Sequence, residues 1–191
     1  YFDLAPNKKE LADDLARMVV ENGNKLKTGF LGTPYLLHVL SENGHADVAY
    51  SLLLQEEYPS WLYPVNKGAT TIWERWGGIM PDGTLNDKRM NSFNHYAYGA
   101  VGDWLYGGMA GINADENAPG FKHIIFKPLT DPRIDYAKAS IKTASGEVSS
   151  YWRREGDKIR YEFKVPSGST ATIYIGDKVY NVTEGHHAYT V

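Results

Sequence analysis

The chain is 191 residues long with 42% hydrophobic and 23% charged residues, the make-up of an ordinary globular protein and well away from the disordered range. A net charge of -3 and the lack of any Lys/Arg-rich run argue against a nucleic-acid or anionic-membrane surface. There is no cysteine, which excludes disulfides, thiol catalysis and cysteine-ligated metals, and no apolar run approaches the roughly 18 residues of a membrane span.

The chain opens on Tyr1 rather than Met, with no visible signal peptide, and is expected to be a processed or excised piece of something longer. Leu11, Leu15, Met18 and Val19 recur at helical spacing up to Asn22-Gly23 and predict a first helix. Thr33, with Pro34 behind it, opens a second that runs through Tyr35, Leu36 and Leu40 to Asn43-Gly44. A third follows from about Ala46 to Glu56, with Val48, Ala49, Leu52 and Leu53 on its apolar stripe, and the short connection predicts an antiparallel hairpin. A fourth, from about Phe93 to Tyr106, puts Phe93, Ala97, Ala100, Val101, Trp104 and Leu105 on one face. Gly99, Gly102, Gly107 and Gly108 dot that stretch. Interior glycine costs about 1 kcal/mol relative to Ala, so their presence suggests a buried inner helix with close backbone packing.

Between the third and fourth helices lies a segment of roughly 35 residues, Glu57 to Asn91, far longer than most loops of a compact domain. Tyr58, Trp61, Tyr63, Ile72, Trp73, Trp76 and Ile79 make it too apolar to be disordered. From Asn113 onward the period changes from 3.6 to 2. "KIRYEFKV" sets Ile159, Tyr161, Phe163 and Val165 against Lys158, Arg160, Glu162 and Lys164. Similar runs, divided by turns such as Glu155-Gly156-Asp157 and Pro166-Ser167-Gly168, predict an antiparallel β-sandwich. The chain therefore reads as a multidomain α + β protein, with domains expected at 1–115 and 116–191.

The long segment holds the chemistry. In "TTIWERWGGIMPDGT", Glu74 and Arg75 sit between Trp73 and Trp76. A carboxylate walled by aromatic rings loses part of its hydration, an environment suited to proton transfer. The plainer alternative is a surface ion pair at a helix start, with the Trp rings filling the core. His95, in "SFNHYAYG", stands where the fourth helix is expected to begin and points toward whatever lies at that end, unless it is a hydrogen-bonded core histidine. Asp82, Asp87 and Asp103 are the other acidic groups nearby. His38 reads as structural, and His45, His123, His186 and His187 as surface or strand residues. "NVT" at Asn181 matches a glycosylation acceptor, a motif too common to carry weight. No phosphate loop, Ser-His-Asp order or zinc spacing is present, and neither metal nor cofactor is expected.

The stretch from "TGFLGTPYLLHVLSENG" through "TTIWERWGG", followed by "NSFNHYAYGAVGDWLYGGMAGI", resembles the end of the catalytic domain of bacterial α-L-rhamnosidases, glycoside hydrolase family 78. The likeness covers residues 25–130 most strongly, and the strand-rich tail is similar in kind to that family's C-terminal sandwich. The resemblance implies an (α/α)6 barrel of which this chain supplies the last third or so. It implies an inverting hydrolase for terminal α-linked L-rhamnose, with a rhamnose-containing glycoside or polysaccharide as partner. It gives Glu74 the role of general base, His95 that of a rhamnose hydrogen-bonding residue, and Trp73 and Trp76 those of pocket walls or supports. Nothing here matches the family's upstream motif with the general acid. The isolated chain is therefore expected to be inactive, with an exposed barrel surface open to self-association. The compartment stays open among periplasm, extracellular space and cytoplasm. Two other readings suit the same aromatic loop: a non-catalytic carbohydrate-binding module, and another (α/α)6 glycosidase or polysaccharide lyase.

Overall fold

The structure is a computed structural model and describes residues 4, 6–87 and 89–191. Two compact units divide the chain, Tyr1–Gly102 and Asp103–Val191.

The first unit is helical. α1 (Lys8–Glu21) is opened by Asn7, whose side chain accepts the Glu10 N–H and satisfies one of the orphan donors of a helix start. Its packed face is Ala12, Ala16 and Val19, whereas Leu11 and Met18 are 55% and 62% exposed. The stripe read from the larger side chains is thus displaced. Alanine lets α1 lie close to its neighbours, and the bulkier residues stay outside. α2 (Thr33–Glu42) and α3 (Ala46–Leu53) form the expected hairpin. Gly44, at φ +92, turns the chain between them in a conformation that side chains rarely adopt. Leu37, Leu40, Ala49 and Leu52 are buried between them, each leucine contributing roughly 1.5–3 kcal/mol of burial.

The long segment after α3 is ordered. It includes a short helix, α4 (Leu62–Asn66), whose first turn is closed by Tyr63 N–H donating to the buried Ser60 hydroxyl at 3.0 Å. The helix expected from Phe93 begins only at residue 97. It starts as a 3-10 turn (Ala97–Ala100), passes through α5 (Val101–Trp104) and ends as a π turn (Leu105–Met109). Phe93 to His95 are diverted by tertiary hydrogen bonds: His95 N–H donates to Ile72 O at 2.9 Å, and the Thr71 hydroxyl donates to Phe93 O. The glycines of this stretch are not equivalent. A Cβ on Gly108 would lie 2.8 Å from the Trp104 ring, but one on Gly102 would meet nothing within 4 Å.

The second unit holds β1 (Ile112–Ala114), β2 (His123–Phe126), β3 (Tyr136–Thr143), β4 (Gly146–Glu155), β5 (Lys158–Val165), β6 (Thr170–Ile175), β7 (Lys178–Val182) and β8 (Gly185–Thr190). Two four-stranded sheets are ordered β1-β2-β6-β7 and β3-β4-β5-β8. Alternation decides the faces: on β5, Tyr161, Phe163 and Val165 are buried while Arg160, Glu162 and Lys164 lie on the other face. Ile124, Phe126 and Ile173 from one sheet share a core cluster with Trp152 and Phe163 from the other. The pairing is antiparallel except between β2 and β6, which run parallel. The chain leaves after β2, builds β3 to β5 in the second sheet, and returns in the same direction. The fully buried Trp152 donates from Nε1 to Met109 O at 2.8 Å, so its polar atom costs nothing in the core. The buried Asp131 is bridged by Arg133 at 2.7 Å, and that hydrogen bond holds its carboxyl below the ordinary aspartate range.

Candidate active site

Two stretches far apart in sequence lie along each other and build the site. Glu74 N–H donates to Ser92 O at 2.9 Å, and Ser92 N–H donates back to Glu74 Oε2 at 2.8 Å. One residue further, Arg75 Nε donates to Met90 O at 2.5 Å. The carboxylate is thereby fixed by backbone on one oxygen. Among the described residues Oε1 has no hydrogen-bond partner.

Glu74 lines an open hollow of about 250 Å³ together with Gly29, Phe30, Arg75, Met90 and Tyr98. It is the one carboxylate on that wall among the described residues. Phe30 also stacks on the His95 ring at 4.8 Å and 16°, although His95 itself is not among the residues lining the hollow. His95 is further held by Tyr96 stacking at 5.5 Å, and its Nδ1 accepts from Ala97 N–H at 3.3 Å. That leaves Nε2 to make any outward contact.

The tryptophans have different places. Trp73 is 6% exposed, packed edge-on against Phe93 at 5.0 Å and close over Gly78. It underlies the Glu74 backbone and does not line the hollow. Trp76 stacks on Tyr98 at 3.7 Å and anchors its Nε1 on Thr28 O at 3.1 Å. It therefore backs the ring that forms part of the wall. Burial pushes the Tyr98 phenol up.

Phe30, Tyr98 and Met90 line the hollow without having been picked out as site residues. "GFLG" (Gly29–Gly32) does carry a signal, since a lone aromatic between glycines in a loop has little local packing to explain it. Met90 has none; it arrives through the Ser92 pairing. Asp82 is spent on a local turn, accepting Thr84 N–H at 2.9 Å. Among the described residues no group of three or more His, Asp or Glu side chains is placed to hold a metal ion.

Comparison with known proteins decides the family. The model for the bacterial alpha-L-rhamnosidase 6 hairpin glycosidase domain matches residues 1–109, and that for the bacterial alpha-L-rhamnosidase C-terminal domain matches residues 111–190. The chain belongs to the bacterial α-L-rhamnosidase family. An α-L-rhamnosidase of Streptomyces avermitilis is 39% identical over 96% of this chain, and one of Formosa agariphila is 44% identical over 91% of it. The crystal structure of the S. avermitilis α-L-rhamnosidase complexed with L-rhamnose superimposes with a TM-score of 0.91 at 38% identity, covering 96% of this chain and 20% of that one. The native enzyme of Aspergillus terreus gives 0.95 at 37% identity, covering all of this chain and 23% of that one. This rhamnosidase-family chain spans 20% and 19% of the length of the S. avermitilis and F. agariphila relatives.

Proposed function

We propose that the chain is the C-terminal part of an inverting α-L-rhamnosidase and carries its general base, Glu74. The observation behind this is the Glu74 carboxylate at the wall of an open hollow, held on one oxygen by the Ser92 N–H and unpartnered on the other. Such a carboxylate suits the task of taking a proton from an attacking water. His95 hydrogen-bonds the sugar, Tyr98 and Phe30 wall it, and Trp73 and Trp76 support those walls. A crystal structure of the S. avermitilis relative complexed with L-rhamnose supports the choice of sugar.

Inversion needs a second carboxyl group roughly 6.5–9.5 Å away to protonate the leaving oxygen. The general acid comes from chain beyond these residues. The helices here form the last third or so of an (α/α)6 barrel, and the two sheets form a β-sandwich. The shared core of the two sheets favours the sandwich, and the α2–α3 hairpin fits a barrel built of helical pairs. Leu11 and Met18, exposed on α1, belong to a face that the rest of the barrel covers and that drives self-association of the isolated piece.

A panel of aryl glycosides tests the proposal. The full-length enzyme is expected to cleave the α-L-rhamnoside, and the purified 191-residue chain to cleave none. Cleavage of a fucoside or glucoside in preference to the rhamnoside contradicts the substrate, and turnover by the chain alone contradicts the missing acid.

A further inference from the structure

The outward face of the β3-β4-β5-β8 sheet has a composition that packing does not explain. Register places Lys138, Tyr151, Glu162 and Ala188 side by side in one row across all four strands. The neighbouring row is Ser140, Ser149, Lys164 and His186. Alanine at the end of the first row and serines in the second are short, and beside them the face sinks into an open hollow of about 490 Å³ lined by Lys138, Ser149, Tyr151, Arg160, Glu162 and His186. That volume lies within the range of small-molecule sites.

Two of the acidic groups of this face are ion-paired and the third faces a lysine across the strands. Glu162 is bridged by Arg160 at 2.8 Å and Glu147 by Lys164 at 2.9 Å, while Glu155 lies directly opposite Lys158. Lys138, Lys142, Arg153 and Lys158 remain as cations without an ion-pair partner among the described residues. The face is therefore positive on a chain of net charge -3. Among the described residues the Tyr151 hydroxyl and the His186 ring also have no hydrogen-bond partner. Tyr136 braces Tyr151, their ring centroids 6.5 Å apart.

We infer that this hollow is an accessory binding site for an anionic saccharide, a glycan residue bearing a carboxylate or a sulfate. The Tyr151 ring offers an apolar face for sugar C–H groups. The fixed Arg160–Glu162 pair offers both donors and acceptors to ring hydroxyls, Lys138 supplies a charge-assisted hydrogen bond to the anion, and His186 offers a ring N–H donor beside it. The site lies wholly in the second unit and stands apart from the assignment of Glu74.

The test is titration of the 15N-labelled chain, followed by amide chemical shifts, with trigalacturonate, its fully methyl-esterified form and galactose 6-sulfate. Saturable shifts on β3, β4, β5 and β8 are expected with at least one of the two anions, and which one binds distinguishes carboxylate from sulfate. Esterification, Tyr151→Ala and Lys138→Gln are each expected to weaken the carboxylate complex by about tenfold, and the two substitutions to weaken a sulfate complex equally. Binding should also weaken as salt is raised. Both side chains face outward, so unchanged thermal melts confirm that the variants fold. Shifts from neither anion, equal binding of the ester, or binding indifferent to both substitutions would overturn the assignment.

Discussion

Glu74→Gln in the full-length enzyme is expected to lower kcat on an aryl α-L-rhamnoside by about 10^3-fold, the range spanned by loss of a positioned general base. The substitution keeps an oxygen that can accept the Ser92 N–H, so the turn formed by residues 74–75 and 90–92 stays intact. It removes only the negative charge that takes the proton from water. L-rhamnose affinity, measured by calorimetry, is expected to change little, because His95 and the aromatic wall remain. A variant that keeps most of its rate would remove Glu74 from the mechanism. A variant that loses sugar binding as well would recast Glu74 as a binding residue.

Gly111→Ala is expected to be the most damaging single change to the second unit. Gly111 sits at φ +73 between the π turn and β1, where an added Cβ would lie 2.1 Å from Pro128 N and 2.4 Å from the Lys127 carbonyl carbon. Those are backbone atoms, held in place by Lys127 N–H donating to Gly111 O at 2.9 Å and Leu129 N–H donating to Gly108 O at 3.0 Å. Neither a rotamer change nor a small shift relieves the contact. The positive φ adds strain that only glycine escapes. The combined cost should exceed about 3 kcal/mol, seen as a fall in Tm of more than about 10 °C for this unit. A melting curve like that of the parent chain would show that the junction rearranges freely.

The sheets were legible because period-2 alternation survives wherever one face is buried. "KIRYEFKV" is β5, with Tyr161, Phe163 and Val165 inside as the pattern requires. The α2–α3 hairpin was equally plain from its stripes and the Asn43-Gly44 stop. Pattern failed where long-range contacts override local preference. Leu11 and Met18 look like core residues, yet α1 packs through its alanines. Phe93 to Tyr96 fit a helical stripe, but hydrogen bonds to Thr71 and Ile72 hold Phe93 and His95 out of it. β1, only three residues long, is too short for any period to announce. The parallel β2–β6 pair depends on the order in which the chain visits two sheets.

The site divides the same way. The acid between tryptophans makes Glu74 stand out, and the family resemblance supplies the roles proposed for it and His95. The clamp on the carboxylate could not be read, because Ser92 lies 18 residues away and bonds through its backbone, which carries no residue-type signal. Nor could the division of labour between the two tryptophans, since one packs over Gly78 and the other over Tyr98.

Stereochemistry tests the central claim most directly. Hydrolysis of an aryl α-L-rhamnoside by the full-length enzyme, followed by 1H NMR from the first seconds, should show β-L-rhamnose accumulating before mutarotation brings in the α anomer. That outcome follows from direct attack of a water activated by Glu74 on the face opposite the leaving group. Initial release of α-L-rhamnose would mean a covalent intermediate, and Glu74 would not be the base of an inverting reaction.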